Sequence, residues 1–286
     1  MPYVSTLIHS IAEHASDKRF YDISIFSQDI TSDNQRLLRA EFAAQENFSV
    51  RFCGMTAYSN QYKNLFEKWQ ISVETYFRLF LPDVMADYDK VLYLDGDMIV
   101  RRDVAELFQT NIDQYILAVA RDVDMAGVYN SNLSAPTDNS LDSKRRDYLE
   151  NKLKLERPLD YFQAGVILFN LREMRESFSV NELLEFAAKQ WEFQDQDVLN
   201  YFAQGRVEFL DLRWNMQYDW EHWRIRNGSP RHLSSSIGVT LIRVEIRSSF
   251  TTADRSNRGS AAIAISRRAF GVSRAGAFSM SRSLRE

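Results

Sequence analysis

The chain has 286 residues, 45% hydrophobic and 26% charged, which suits one large α/β domain with a buried core. A single cysteine, Cys53, excludes an internal disulfide framework and any multi-thiolate metal site, and it points to a reducing, cytoplasmic setting. The net charge of −4 conceals a split: residues 231–286 hold ten arginines, no lysine and three acids, a balance of +7, so the first 230 residues carry −11.

Residues 6–15 place Leu7, Ile8 and Ile11 at helical spacing, and 21–26 (YDISIF) read as a β-branched, aromatic strand. Helical spacing returns over 34–44, and 48–52 form a short strand. A helix is predicted over 72–85, with Val73, Tyr76, Phe77 and Phe80 on its apolar stripe and Pro82 bending or ending it. Residues 90–94 (KVLYL) are a nearly all-apolar strand running straight into Asp95-Gly96-Asp97. Further buried strands are expected over 116–120 and 166–169, a strong helix over 180–191 and a strand over 207–210. The polar stretch 130–146 reads as a long loop, either a lid facing a substrate or a surface connection.

Strands alternating with helices imply a mostly parallel, Rossmann-like sheet with helices on both faces. Ligands of such sheets sit at the carboxyl ends of the strands, so the residues after 90–94 carry the most interest. Two carboxylates either side of Gly96 can converge on one hard divalent cation. The competing reading is a solvated turn. The end of a buried strand favours the cation, because desolvating two adjacent carboxylates without one is costly.

Three segments then make a more specific pattern. Residues 69–104 (WQISVETYFRLFLPDVMADYDKVLYLDGDMIVRRDV), 160–171 (DYFQAGVILFNL) and 194–200 (QDQDVLN) resemble, in order, the signatures of family 8 glycosyltransferases. That family includes bacterial lipopolysaccharide α-galactosyl- and α-glucosyltransferases, with glycogenin a more distant relative. The resemblance covers roughly residues 7–223 and implies a GT-A-type nucleotide-diphospho-sugar transferase fold.

The resemblance also implies roles. Asp95 and Asp97 would bind Mn²⁺, or Mg²⁺, bridging the diphosphate of a UDP-sugar, with Asp95 also near the ribose. Arg78 would reach the donor sugar or diphosphate through its planar fork; without the family it reads as a surface ion pair. Asp122 would face the substrate sugars, and Ala164 and Gly165 would let a sugar approach the backbone. Gln163 stands where the family usually has asparagine. Asp195 would accept from donor-sugar hydroxyls and Gln196 would lie under the anomeric carbon, although both also suit a helix start. Family 8 retains anomeric configuration, and a glutamine favours a front-face mechanism over double displacement.

Departures from the family pattern set further expectations. Met1-Pro2-Tyr3 looks like the end of the loop that follows a first, central strand, so residues 1–229 read as the transferase domain without that strand, leaving its neighbours unpaired. No H-x-x-G-x-x-K-P-W segment follows; neither His222 nor His232 matches its metal-binding histidine, so this chain is expected to be weakly active or inactive as a transferase. Residues 230–286, rich in Arg, Ser and Ala, read as out of frame and unfolded, or else as a natural disordered tail that would touch anionic lipid or nucleic acid. The implied partners are a nucleotide sugar and a glycan or lipid-linked acceptor, with no nucleic acid. No apolar run nears the ~20 residues that span a bilayer, and residues 1–10 lack the features of a signal peptide. Any membrane contact would be peripheral.

Two rivals remain at this level. A haloacid-dehalogenase-type phosphatase also delivers D-x-D from a strand, but here Ile99 stands where it usually has Thr or Val. A non-catalytic binder of sugar nucleotides is the other.

Overall fold

The computed structural model describes residues 2–61, 73–130, 141–189, 191–216 and 262–266. Seven strands form one sheet: β1 Tyr21–Ser27, β2 Phe48–Gly54, β3 Lys90–Asp95, β4 Leu117–Arg121, β5 Phe162–Asn170, β6 Val207–Phe209 and β7 Ala262–Ser266, in the order β2-β1-β7-β3-β5-β4-β6. Four of the pairings are parallel; β5 alone runs antiparallel, against β3 and β4. The carboxyl ends of β3 and β4 therefore meet the amino end of β5 along one edge of the sheet. Asp95, Asp122 and Gln163-Ala164 all fall there, although 27 to 69 residues separate them in the chain.

Helices cover both faces. α1 Pro2–His14 and α2 Ser32–Phe42 pack Leu7, Ile8, Ile11, Leu38 and Phe42 onto the face that carries Leu92 and Leu94. On the other face, Val91 and Tyr93 meet α8 Leu171–Ser177, α9 Val180–Ala187 and α10 Gln194–Phe202 through Met174, Leu183, Val198 and Leu199. Between these lie α3 Thr56–Gln61, α4 Leu81–Val84, α5 Ala105–Phe108, α6 Val123–Asn130 and α7 Leu141–Asp147. The period-2 alternation of β3 is what lets one strand serve two cores. α9 starts with a capping box between Ser179 and Glu182, and it ends at Ala187, short of the expected 191.

Three expectations change. The stretch predicted as a helix over 72–85 is a 3₁₀ helix, Val73–Phe80, followed by α4, in which Pro82 occupies the first turn; residues 62–72 lie outside the described residues. Proline belongs there, since first-turn N–H groups need no helical partner. The long loop expected over 130–146 carries α7 from Leu141, and residues 131–140 lie outside the described set. Third, the gap expected between β1 and β3 is filled. Five tail residues, Ala262–Ser266, pair parallel with both neighbours, Ile23 to Ile263 on one side and Val91 to Ala262 on the other. Those five residues, which the sequence places within a tail expected to be unfolded, here supply the backbone pairing between β1 and β3 through an Ala-Ile-Ala-Ile-Ser run. Both readings of the rest of the tail, and the comparison at His222, concern residues outside the described set.

Candidate active site

β3 ends in Asp95, and its carboxylate is buried. Oδ1 accepts from Tyr93 Oη at 2.8 Å and from Arg78 at 2.9 Å. Arg78 is only 2% exposed, so it is not the surface ion pair that its spacing also allowed. Its Nε stands 2.7 Å from Asp195 Oδ2, it donates to the Ala164 carbonyl, and its guanidinium lies 4.4 Å from the Tyr93 ring centre. One cation thus clamps two buried carboxylates from β3 and α10. Burial alone would lower the Arg78 pKa, but Asp195 and Asp95 together raise it well above the ordinary guanidinium value. The charge is permanent.

A second cluster shares Ala164. The Ala164 N–H donates to Gln196 Oε1 at 3.0 Å, and Gln196 Nε2 donates to Asp122 Oδ2 at 3.3 Å. Gln163 Nε2 donates to the same Asp122 oxygen at 2.5 Å. The other Asp122 oxygen accepts from the backbone of Asp124 and Met125 at the start of α6. Burial is the largest influence on Asp122 and raises its pKa, only partly offset by the Met125 and Asp124 amides and by Gln163. The longer arm of Gln163 still finds a carboxylate partner.

Asp97 is exposed in the turn after β3, while Gly96 is buried. Gly165 makes a cradle beside Asp95: a Cβ there would stand 2.8 Å from Met98 Cε, 3.3 Å from Asp95 Oδ2 and 3.7 Å from Asn215 Nδ2. Among the described residues no group of three or more His, Cys, Asp or Glu side chains converges as a metal cage. Asp95 and Asp97 nevertheless supply hard oxygen donors on either side of a permissive glycine, which is the chemistry Mn²⁺ or Mg²⁺ takes.

Asp197 belongs to the same segment, and its type gave no hint of its task. It accepts from Tyr148 Oη at 2.5 Å and Tyr161 Oη at 2.7 Å, both buried, and from the part-buried Phe193 amide at 2.7 Å. These bonds fix the approach to α10, where Gln194 adopts φ +54° and turns the chain so that Asp195 and Gln196 face the sheet edge.

Residues 1–237 match glycosyl transferase family 8. The chain belongs to that family. Among relatives of this family 8 protein, a putative glycosyltransferase of Haemophilus influenzae is 27% identical over 220 residues, covering 75% of this chain and 59% of that protein. The lipopolysaccharide 1,2-glucosyltransferase of Escherichia coli is 26% identical over 148 residues, 50% of this chain and 38% of that one. The glycosyltransferase GlyF of Streptococcus pneumoniae is matched over 45% of its length, so the chain spans about half the length of the curated relatives it matches most strongly. Among solved structures, the bifunctional enzyme WbbM in its apo form is 32% identical with a TM-score of 0.63, over 74% of this chain and 37% of that one. The galactosyltransferase LgtC, solved with donor and acceptor sugar analogues, gives a TM-score of 0.59 at 22% identity over 82% and 76% of the two chains, a likeness of fold. Family membership also removes the haloacid-dehalogenase alternative.

Two substitutions test the geometry of this family 8 site. Gly165→Ala is expected to cost about 1 kcal/mol of stability or less, because the Met98 tip can move aside. Its methyl group crowds Asp95 Oδ2, however, and kcat/KM for sugar transfer should fall about 10- to 100-fold. Asp122→Asn keeps an oxygen for the two backbone amides but sets an amide against two others, so Gln196 loses its orientation. A fall of about 100-fold in kcat is expected. Its pH signature is separate. A buried carboxyl with a raised folded-state pKa binds its proton more tightly when folded, so its contribution to stability is greatest below the unfolded pKa. That contribution drains away as pH rises through the folded value. Asp122→Asn lacks that loss, and in urea melts between pH 4 and 7 it should gain on the parent as pH rises.

Proposed function

We propose that this chain is a retaining hexosyltransferase that moves a sugar from a UDP-sugar to a glycan acceptor such as lipopolysaccharide or another surface glycan, with Mn²⁺ or Mg²⁺ held by Asp95 and Asp97. The observation that carries the proposal is the convergence, at one sheet edge of a family 8 chain, of Asp95, Asp195 and Gln196 around the Ala164 backbone.

The divalent cation, when bound, neutralises charge on the departing diphosphate. The chain's own residues do the rest by positioning. Arg78 and Tyr93 take Asp95 Oδ1, leaving Oδ2 turned toward the Gly165 cradle. Ala164 and Gly165, having little or no side chain, allow a sugar close to the β5 backbone. Asp195, held by Arg78, presents a carboxylate to the donor's hydroxyls. Gln196 is held at both ends of its amide, its oxygen by Ala164 and its nitrogen by Asp122. A neutral amide is a weak nucleophile, so acceptor attack on the same face as the leaving diphosphate fits this site better than a covalent intermediate. No described helix is long and apolar enough to cross a membrane; contact with a lipid-linked acceptor would be made at the surface.

The experiment is Mn²⁺-dependent release of UDP from UDP-galactose or UDP-glucose, run on the chain and on Asp97→Asn. Weak metal-dependent release that the substitution abolishes is the expected result. UDP binding with no release under any acceptor would replace the transferase reading by the sugar-nucleotide binder.

A further inference from the structure

Asn215 stands next to the proposed donor site with a side-chain donor that no described residue uses. Its Nδ2 is buried and has no hydrogen-bond partner among the described residues. Buried amide nitrogens without partners are uncommon in folded proteins because each costs a desolvation penalty, so this one calls for an explanation. Chance placement is a poor one, because the chain leading to Asn215 is firmly held. The Leu210 amide donates to the Val119 carbonyl at 2.9 Å, tying the end of β6 to β4. Asp211 then caps the short 3₁₀ turn Leu212–Trp214, accepting from the Arg213 amide and from both edges of its guanidinium at 2.9 Å each. Trp214 packs against the apolar cluster beneath, and the Asn215 amide closes the turn on Leu212 at 3.1 Å.

The point above Gly165 where a Cβ would sit is 3.7 Å from Asn215 Nδ2 and 3.3 Å from Asp95 Oδ2. A donor and a carboxylate acceptor thus both border the bare face of Gly165, beside the Met98 tip. A sugar hydroxyl that meets them there can accept from the amide and donate to the carboxylate.

We infer that Asn215 is a further binding residue of this site, its Nδ2 donating to a hydroxyl of the nucleotide sugar that Asp95 Oδ2 holds from the other side. The inference rests on the UDP-sugar reading above. The hydroxyl belongs to the ribose or to the hexose, and the test separates the two.

Isothermal titration of UDP, 2′,3′-dideoxy-UDP and UDP-glucose, with Mn²⁺ present, is carried out on the full chain and on Asn215→Ala. The variant should bind the ligand carrying the relevant hydroxyl about fivefold more weakly, the worth of one ordinary hydrogen bond. Weakening for UDP but not for dideoxy-UDP assigns the ribose; weakening for UDP-glucose alone assigns the hexose. Without nucleotide, the melting temperature of Asn215→Ala should be unchanged or higher, since the deleted donor has no partner to lose. Asn215→Asp, of the same shape, replaces the donor with a charged acceptor and should weaken binding at least as much; it keeps the comparison decisive if the alanine variant melts early. Equal weakening of all three ligands overturns the inference in favour of a diphosphate contact. Unchanged affinity in both variants, or lower melting temperatures in both with no nucleotide effect, overturns it as well. Failure of the unaltered chain to bind any of the three sinks the UDP-sugar reading itself, a different result from a variant that binds like the parent.

Discussion

Arg78→Leu should destabilise the chain by about 3–5 kcal/mol at pH 7 and abolish sugar transfer, because it strands two buried carboxylates without their shared cation. The leucine matches much of the volume, so the loss is electrostatic rather than a cavity effect. Urea denaturation measures it. Arg78→Lys restores a positive charge, but a single ammonium cannot meet Asp95, Asp195 and the Ala164 carbonyl together, and it should recover only part of the stability. Adding Asp195→Asn to Arg78→Leu removes one of the stranded charges. The double variant should therefore lose less than the sum of the two single losses, as expected for groups that act as a unit. Simple additivity would mean that Arg78 and Asp195 stand apart in solution.

The second large effect concerns the middle of the sheet. Ala264→Pro puts a residue without an N–H into β7, which is laddered to β1 on one side and β3 on the other. A buried acceptor left without its donor costs about 1–3 kcal/mol, and with the steric mismatch of the ring a loss of about 2–4 kcal/mol is expected. Hydrogen exchange gives the local readout: amides of β1 and β3 should lose protection together, while those of β4 and β6, separated from the seat by β3 and β5, should lose less. A variant as stable and as protected as its parent would mean that Ala262–Ser266 does not hold the two halves of the sheet together.

Much of this architecture is legible in the residues. β3 announces itself because an apolar run stops at an acid, and the alternation of Val91 and Tyr93 against Leu92 and Leu94 already sorts the two cores. Asp95 and Asp122 each follow a recognisable strand, whereas Gln163 joins them because β5 begins at Phe162, ahead of the expected 166, and runs antiparallel.

Arg78 was harder for a definite reason. A 3.6-residue period places it off the stripe of Tyr76, Phe77 and Phe80. The chain instead forms a 3₁₀ helix that is covered all round: every residue from Thr75 to Phe80 is buried, so no polar face is left for Arg78 to occupy. The two tyrosine contacts of Asp197 lie 36 and 49 residues away in the chain and leave no local trace. A lone asparagine after a short turn has no pattern, so nothing in the sequence singles out Asn215; its side-chain nitrogen beside Gly165, without a partner among the described residues, is a feature of the fold alone. The tail's arginines and serines hid five residues that the sheet takes up, since composition describes the average of a segment and not one apolar run within it.

On the proposed reading, Asp95 and Asp97 bind a divalent cation together with the diphosphate of a UDP-sugar. Calorimetric titration of UDP-galactose and UDP-glucose, with and without Mn²⁺, measures it directly. Tighter binding is expected when the metal is present, with no such gain in Asp97→Asn. Equal affinity with and without Mn²⁺ in the unaltered chain, for every UDP-sugar tried, would contradict it.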